Sequence, residues 1–281
     1  VRSCDRFAAS PVQNKPAPFS MWAEEFIAPP EPLSEDCLYL NIWTAAASAG
    51  EKRPVLVWIY GGGFVSGSGA CAVYDGEAMA ARGIVHVTIN YRVGVFGFMA
   101  HPELSKEAGT SGNYAIQDQI AALQWIGKNI AAFGGDPDNI TIAGQSAGSF
   151  SVNALLSSPL AKGLFHRAIA QSGGLMKSTR LRSLTEAEKT GTQVASLSGN
   201  KSIGELRNLS SDEIQSLSGK LPYGSFAPVL DGTVLPTDII AHYRSGKNNS
   251  VPVMTGWVTG DAALTQRGQV TAAGFRESAT Q

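Results

Sequence analysis

A single α/β fold built on a mostly parallel central sheet with flanking helices is predicted by three observations. The segments Val55-Leu56-Val57-Trp58-Ile59-Tyr60 and Ile84-Val85-His86-Val87-Thr88-Ile89 are continuous apolar, β-branched runs, the pattern of strands covered on both faces. Ile116, Ile120, Leu123, Ile126 and Ile130 then recur at helical spacing and mark one buried helix face over 113–130. A short strand, Asn139 to Ala143, is followed at once by Gly144-Gln145-Ser146-Ala147-Gly148 and a second helix through Leu156, so strands and helices alternate.

The remaining elements are read in chain order. Residues 1–35 are polar and proline-rich without a sustained period, and are expected to be extended loop. Gly134-Gly135-Asp136-Pro137 is expected to stop the first long helix, and Ala168-Ile169-Ala170-Gln171 and Val251 to Gly256 are read as further strands. The serine-rich stretch beginning at Lys177, with helical tendencies, is read as a cap or insertion segment covering 177–250 inside one domain spanning 1–281.

Bulk composition narrows the function classes. The 281 residues are 43% hydrophobic, enough for one continuous core, and 22 basic against 23 acidic residues leave a net charge of -1. That balance gives no electrostatic reason to expect nucleic acid or a membrane surface as a partner. No apolar stretch is long enough to span a bilayer, and Val1-Arg2-Ser3-Cys4 has no apolar signal-peptide region. The three cysteines, Cys4, Cys37 and Cys71, leave two readings open: three reduced thiols, or a bridge that staples the proline-rich loop.

The chemistry concentrates at Ser146. Gly144-x-Ser146-x-Gly148 between a strand and a helix is the context of a nucleophile elbow, in which small neighbours make room for a serine held in a strained backbone conformation. An attacking serine needs donors for the oxyanion it creates, and backbone N–H groups are preorganised for that task. Gly61-Gly62-Gly63-Phe64 follows a strand directly, so the N–H groups of Gly62, Gly63 and Ala147 are assigned to the oxyanion hole. No metal or organic cofactor is required.

Ser34-Glu35-Asp36-Cys37-Leu38-Tyr39-Leu40-Asn41-Ile42-Trp43, Tyr60-Gly61-Gly62-Gly63-Phe64, Asn90-Tyr91-Arg92-Val93-Gly94, Phe133-Gly134-Gly135-Asp136-Pro137 and the elbow together resemble the type-B carboxylesterases, a family of α/β-hydrolases that includes the cholinesterases. The resemblance runs in register over nearly the whole chain. It implies a Cys4–Cys37 disulfide, with Cys71 a separate thiol, and through that bridge a secreted or periplasmic location. It places the catalytic acid at Asp261, in Gly256-Trp257-Val258-Thr259-Gly260-Asp261-Ala262, where the family usually has Glu, and puts Ser172 beside that acid.

The resemblance also implies a catalytic histidine after the acid, and none follows Asp261; His86, His101, His166 and His242 all stand elsewhere. The chain is therefore expected to be a fragment truncated at both ends, with the base outside it. Gln145 beside the nucleophile and Ile27 replace residues of the cholinesterases, so a neutral small-molecule ester is expected and choline esters are not. Two other readings stay open: a non-catalytic, adhesion-type homologue on the same fold, and an acyltransferase or thioesterase using the same serine.

Overall fold

The computed structural model describes residues 4, 6–19, 22–175 and 181–261. Its centre is a six-stranded sheet of β1 (Leu40–Trp43), β2 (Arg53–Ile59), β3 (Val85–Ile89), β4 (Gly135–Gln145), β5 (Arg167–Gln171) and β6 (Val253–Gly256), in the order β6-β5-β4-β2-β3-β1. Every neighbouring pair is parallel except β1 with β3. The mostly parallel sheet expected from the continuous apolar runs is the one observed. Its middle is dry: Val55, Val57, Ile59, Val85, Val87, Ile89, Ile140 and Ile142 are all buried.

Nine helices flank the strands: α1 (Glu77–Ala81), α2 (Gly94–Phe98), α3 (Pro102–Ala108), α4 (Tyr114–Asn129), α5 (Ala147–Ser157), α6 (Leu184–Leu197), α7 (Ile203–Leu206), α8 (Ser211–Ser218) and α9 (Ile239–Arg244), counted among the described residues. The isoleucine face of α4 packs as its spacing predicts, with Ile116, Leu123 and Ile126 fully buried. Gly134 ends that region with φ 79°, a left-handed conformation that suits glycine. β4 starts earlier than its apolar residues suggest, at Gly135, because Arg53 pairs there before the register shifts across Pro54, which has no N–H for the ladder. β1 went unread in the sequence because all four of its residues are only partly buried and Asn41 interrupts its apolar pattern.

The polar stretch after residue 180 is helical for a local reason. Ser183 with Glu186, Ser202 with Glu205 and Ser210 with Glu213 each form a reciprocal capping box that satisfies first-turn donors of α6, α7 and α8. These helices are tied to α3, since Glu103 accepts from the Ile203 N–H at 3.1 Å and Arg207 pairs with Glu107 at 2.7 Å. Asn113 exchanges hydrogen bonds with the Val229 backbone in both directions, at 2.7 and 2.9 Å.

Two tyrosines join the carboxyl ends of β2 and β3. The rings of Tyr60 and Tyr91 stack 4.1 Å apart, and the Tyr91 hydroxyl donates to the Tyr60 carbonyl at 2.8 Å. Next along the chain, Arg92 makes a two-pronged contact to Asp118 on α4, at 2.9 and 2.7 Å, and its N–H donates to the same carboxylate. Burial works against the guanidinium's charge, but Asp118 outweighs it and holds the Arg92 pKa above its ordinary value.

The Cys4–Cys37 bridge is corrected by the structure: the described residues contain no disulfide. Cys4 is exposed, whereas Cys37 is 1% exposed and lines a small cavity with Pro11 and Val12. Burial, with help from Asp118, pushes the Cys37 thiol from 9.0 up to about 12, and burial lifts Cys71 to about 11. Both thiols hold their protons more tightly folded than unfolded. Their stabilising contribution is therefore complete below about pH 8.5 and is lost as pH climbs towards those raised values, with a slope of at most ~1.4 kcal/mol per pH unit per thiol. Urea midpoints measured at pH 8 and pH 10.5 should show a fall that is shallower in Cys37→Ala; equal slopes would remove the thiol from the explanation.

The β6 side of the sheet is an exposed edge. Val253, Met254, Trp257 and Val258 are 49 to 68% exposed, an apolar strip along the outermost strand among the described residues. Such an edge promotes self-association. Met254→Lys should raise the monomer fraction of the 281-residue chain in light scattering while changing folding stability by less than about 0.5 kcal/mol.

Candidate active site

The site is assembled where β4 turns into α5. Ser146 sits in the turn with φ 54° and ψ -122°, outside the regions that side-chain-bearing residues favour. The turn is tight enough to exclude side chains from its neighbours. A methyl on Gly144 would come 2.5 Å from Gly148 carbon and 2.8 Å from the Ile59 carbonyl oxygen, and one on Gly148 would overlap that same oxygen. Both glycines singled out in the sequence are thus packed against β2.

Hydrogen bonds fix the turn from the β5 side. The Ser146 N–H donates to the Gln171 carbonyl at 2.9 Å, and the Ser149 hydroxyl donates to the Gly173 carbonyl at 2.8 Å. Inside α5, the Gln119 amide reaches Ser151 at 3.0 Å and joins the helix to α4. The Ser146 hydroxyl makes no capping bond to its own helix and is only partly buried. Ala147, at the first helical position, is fully buried, and N–H groups of a first helical turn have no partner within the helix.

The glycine loop after β2 folds back against this turn. A methyl on Gly61 would stand 2.7 Å from the Gln145 carbonyl oxygen and 3.3 Å from Ser146 Cβ. Gly62 and Gly63 have φ 111° and 65°, and the Gly62 carbonyl accepts from Val65 and Ser66 at 3.1 and 3.2 Å. Phe64 shares the positive φ, at 65°, an outlier for a bulky residue. It is held there by complete burial and by edge-on contacts to Phe98 at 5.0 Å and Phe150 at 6.4 Å.

A further support of this loop was invisible in the sequence. The buried Gln13 amide donates to the Gly67 carbonyl and accepts from the Gly67 N–H, both at 2.9 Å, as a strand partner would. Asn90 accepts from Gly69 at 2.8 Å and donates to Cys37 at 3.0 Å. Gln13 lies in the proline-rich segment, where no periodicity distinguishes it.

Ser172 and Asp261 are brought together. The Ser172 hydroxyl donates to Asp261 Oδ2 at 2.6 Å, and the Val258 N–H donates to the same oxygen at 2.9 Å. Ser172 has φ 55°, its N–H bonds to the Gly256 carbonyl at 2.8 Å, and its chain neighbour Gln171 is the acceptor for the Ser146 N–H. Asp261 and the serine turn are therefore held by consecutive residues, Ser172 and Gln171, at the end of β5.

None of the four histidines is hydrogen-bonded to Ser146 or Asp261. His166 accepts from Ile140 at 3.1 Å, His101 caps α3 by accepting from Glu103 at 3.2 Å, and His86 packs against Trp43 at 5.7 Å. Burial lowers the His86 pKa, which keeps it neutral. His242 lies on α9. Among the described residues no cluster of three or more His, Cys, Asp or Glu is arranged to hold a metal, and no helix is long and apolar enough to cross a membrane.

A serine raised on a strained strand-to-helix turn at the carboxyl end of a mostly parallel sheet, facing a glycine loop from the neighbouring strand, defines the α/β-hydrolase class. Within that class the chain belongs to the carboxylesterase family, which it matches over residues 1–280. It is 43% identical over 233 residues to a fumonisin B1 esterase of Sphingopyxis macrogoltabida, covering 79% of this chain and 42% of that protein. It is 38% identical over 236 residues to a para-nitrobenzyl esterase of Bacillus subtilis, covering 79% of this chain and 46% of the relative. The crystal structure of a Geobacillus stearothermophilus carboxylesterase superposes with a TM-score of 0.77 at 45% identity, covering 83% of this chain and 50% of the other. The chain spans about half the length of the relatives it matches.

Two glycine-to-alanine changes should separate packing from propensity. Gly148→Ala should destabilise by more than about 3 kcal/mol in urea unfolding, because its methyl meets backbone. Gly127→Ala, in open space on α4, should stabilise by about 0.5–1 kcal/mol. Like signs for the two would show that the elbow can relax around a side chain.

Proposed function

We propose that this chain is the nucleophile-bearing part of a serine carboxylesterase acting on a neutral small-molecule ester. The observation that carries the proposal is the backbone of Ser146, held at φ 54° and ψ -122° with its hydroxyl unused by the helix it begins. Strain of this kind costs about 1–3 kcal/mol and persists where function requires it. The Ser146 oxygen attacks the ester carbonyl, the N–H groups of Gly62, Gly63 and Ala147 receive the resulting oxyanion, the alcohol departs, and water clears the acyl-enzyme.

The base in this reading is a histidine outside these 281 residues, and Asp261 orients it. Oδ2 of Asp261 is already occupied by Ser172 and Val258, which leaves Oδ1 to face the imidazole. Ser172 acts by fixing the carboxylate, and an Asp serves where Glu is usual because that hydroxyl holds it at 2.6 Å. The cap of the same domain is read over residues 177–250, of which 177–180 lie outside the described residues. Gln145, uncharged beside the nucleophile, gives no attraction for a cationic alcohol group. The intact serine turn weighs against a purely adhesive role, and transfer to alcohols or cleavage of thioesters differs only in the partner of the acyl-enzyme. A location outside the cytoplasm rested on the Cys4–Cys37 bridge and loses that support; fractionation of the source cells decides it.

A para-nitrobenzyl ester is the first probe, because a relative is named for it. Full-length protein should hydrolyse it, Ser146→Ala should not, and Asp261→Asn should lower kcat by on the order of 10⁴-fold. Ser172→Ala should lower kcat by about 10-fold with KM held. Turnover by the 281-residue chain alone would place the base within it and overturn the external histidine.

A further inference from the structure

Tyr223 stands where an exposed ring has no reason to be. It is 74% exposed, yet its hydroxyl oxygen fills the space on the Cα face of Gly63: a methyl added there would overlap that oxygen and lie 3.3 Å from Tyr223 Cζ. Gly63 is thus glycine for two reasons, its positive φ and the hydroxyl pressed against it. Among the described residues this hydroxyl has no hydrogen-bond partner.

The tyrosine does not reach Gly63 by swinging freely. It sits in a turn closed by the Ser225 N–H on the Pro222 carbonyl at 3.1 Å, reinforced by the Ser225 hydroxyl on the same oxygen at 2.7 Å. Arg182 reaches over from the start of α6 and donates to the Ser225 and Gly224 carbonyls at 3.2 and 3.4 Å, and Thr190 fixes the guanidinium at 3.2 Å. Phe226 and Ala227 anchor the following residues in the core. A clamped turn that delivers to the glycine loop a donor with no partner among the described residues is a constructed feature, since a solvated ring would need no such hold.

Resting on the esterase reading above, we propose that the Tyr223 hydroxyl is a side-chain donor of the oxyanion site. As the Ser146 oxygen bonds to the carbonyl carbon, the carbonyl π pair moves onto its oxygen, and Tyr223 donates a hydrogen bond to that charge beside the backbone N–H groups. No proton leaves the phenol. The gain is realised only as charge develops, so it belongs to kcat.

The test uses full-length protein with the para-nitrobenzyl ester and a trifluoromethyl ketone, which mimics the tetrahedral adduct. Tyr223→Phe keeps the ring and should lower kcat about 10-fold, with KM changed less than about twofold and ketone inhibition weakened by the same factor as kcat. Arg182→Ala should give part of that loss by freeing the turn. An unchanged kcat, or a change confined to KM, overturns the donor role. Failure of the parent protein to hydrolyse any ester sinks the esterase reading itself, a result distinct from normal turnover that ignores Tyr223.

Discussion

Everything around the strand-to-helix turn depends on keeping Ser146 in a backbone conformation that it would leave if released. About 1–3 kcal/mol is stored at such a residue, and no single contact here is large enough to hold it alone. The turn is trapped from three directions. β2 lies so close behind Gly144 and Gly148 that neither can carry a side chain, the Gln171 carbonyl captures the Ser146 N–H, and α5 is locked to β5 through Ser149 and Gly173. Relaxing φ at Ser146 would break the second and disturb the third, so the strain is shared by the sheet rather than by the turn.

The same sheet sets the electrostatics. β2 ends at Ile59 and β4 at Gln145, adjacent strands whose following loops are the glycine run and the serine turn. Their closeness is a consequence of strand order: β2 and β4 are hydrogen-bonded neighbours, so two loops far apart in sequence emerge side by side. The Tyr60–Tyr91 stack and the Arg92–Asp118 pair then tie the third strand end to α4, which limits how far the glycine loop can shift. Asp118 is buried while the Arg92 side chain is 35% exposed, so removing Asp118 would leave a guanidinium that water partly solvates, at less cost than a fully buried unpaired charge. This pair constrains position more than it adds stability.

What the sequence disclosed followed from periodicity and from turn chemistry. β2, β3 and α4 were legible because burial on both faces, or on one helical face, leaves a regular apolar record. The elbow was legible because steric exclusion at Gly144 and Gly148 permits only glycine. β1 left no such record, being partly exposed and carrying Asn41 to hold Thr88 at 3.0 Å. Gln13 and Tyr223 were illegible for a deeper reason: each acts across a fold-dependent contact, and their own neighbours along the chain say nothing about Gly67 or Gly63. The Cys4–Cys37 bridge that the resemblance implies is absent among the described residues, where Cys4 is exposed and the buried Cys37 lies beside Pro11 and Val12.

In the proposed reading Asp261 is the acid that orients the base, a place where the resemblance implies a longer Glu, and its surroundings bear on how a shorter side chain could serve there. A carboxylate on Asp extends one methylene less than on Glu, so its orientation must come from its surroundings. Ser172 and Val258 both donate to the same oxygen, and Ser172 accepts a positive φ of 55° to do so. Two donors on one oxygen remove rotation about the side chain and leave the other oxygen with a fixed direction. Ser172 is also the immediate successor of Gln171, whose carbonyl holds the Ser146 N–H. The end of β5 therefore holds Asp261 and Ser146 through the consecutive residues Ser172 and Gln171, and a displacement of that strand end would move both together, preserving their mutual geometry.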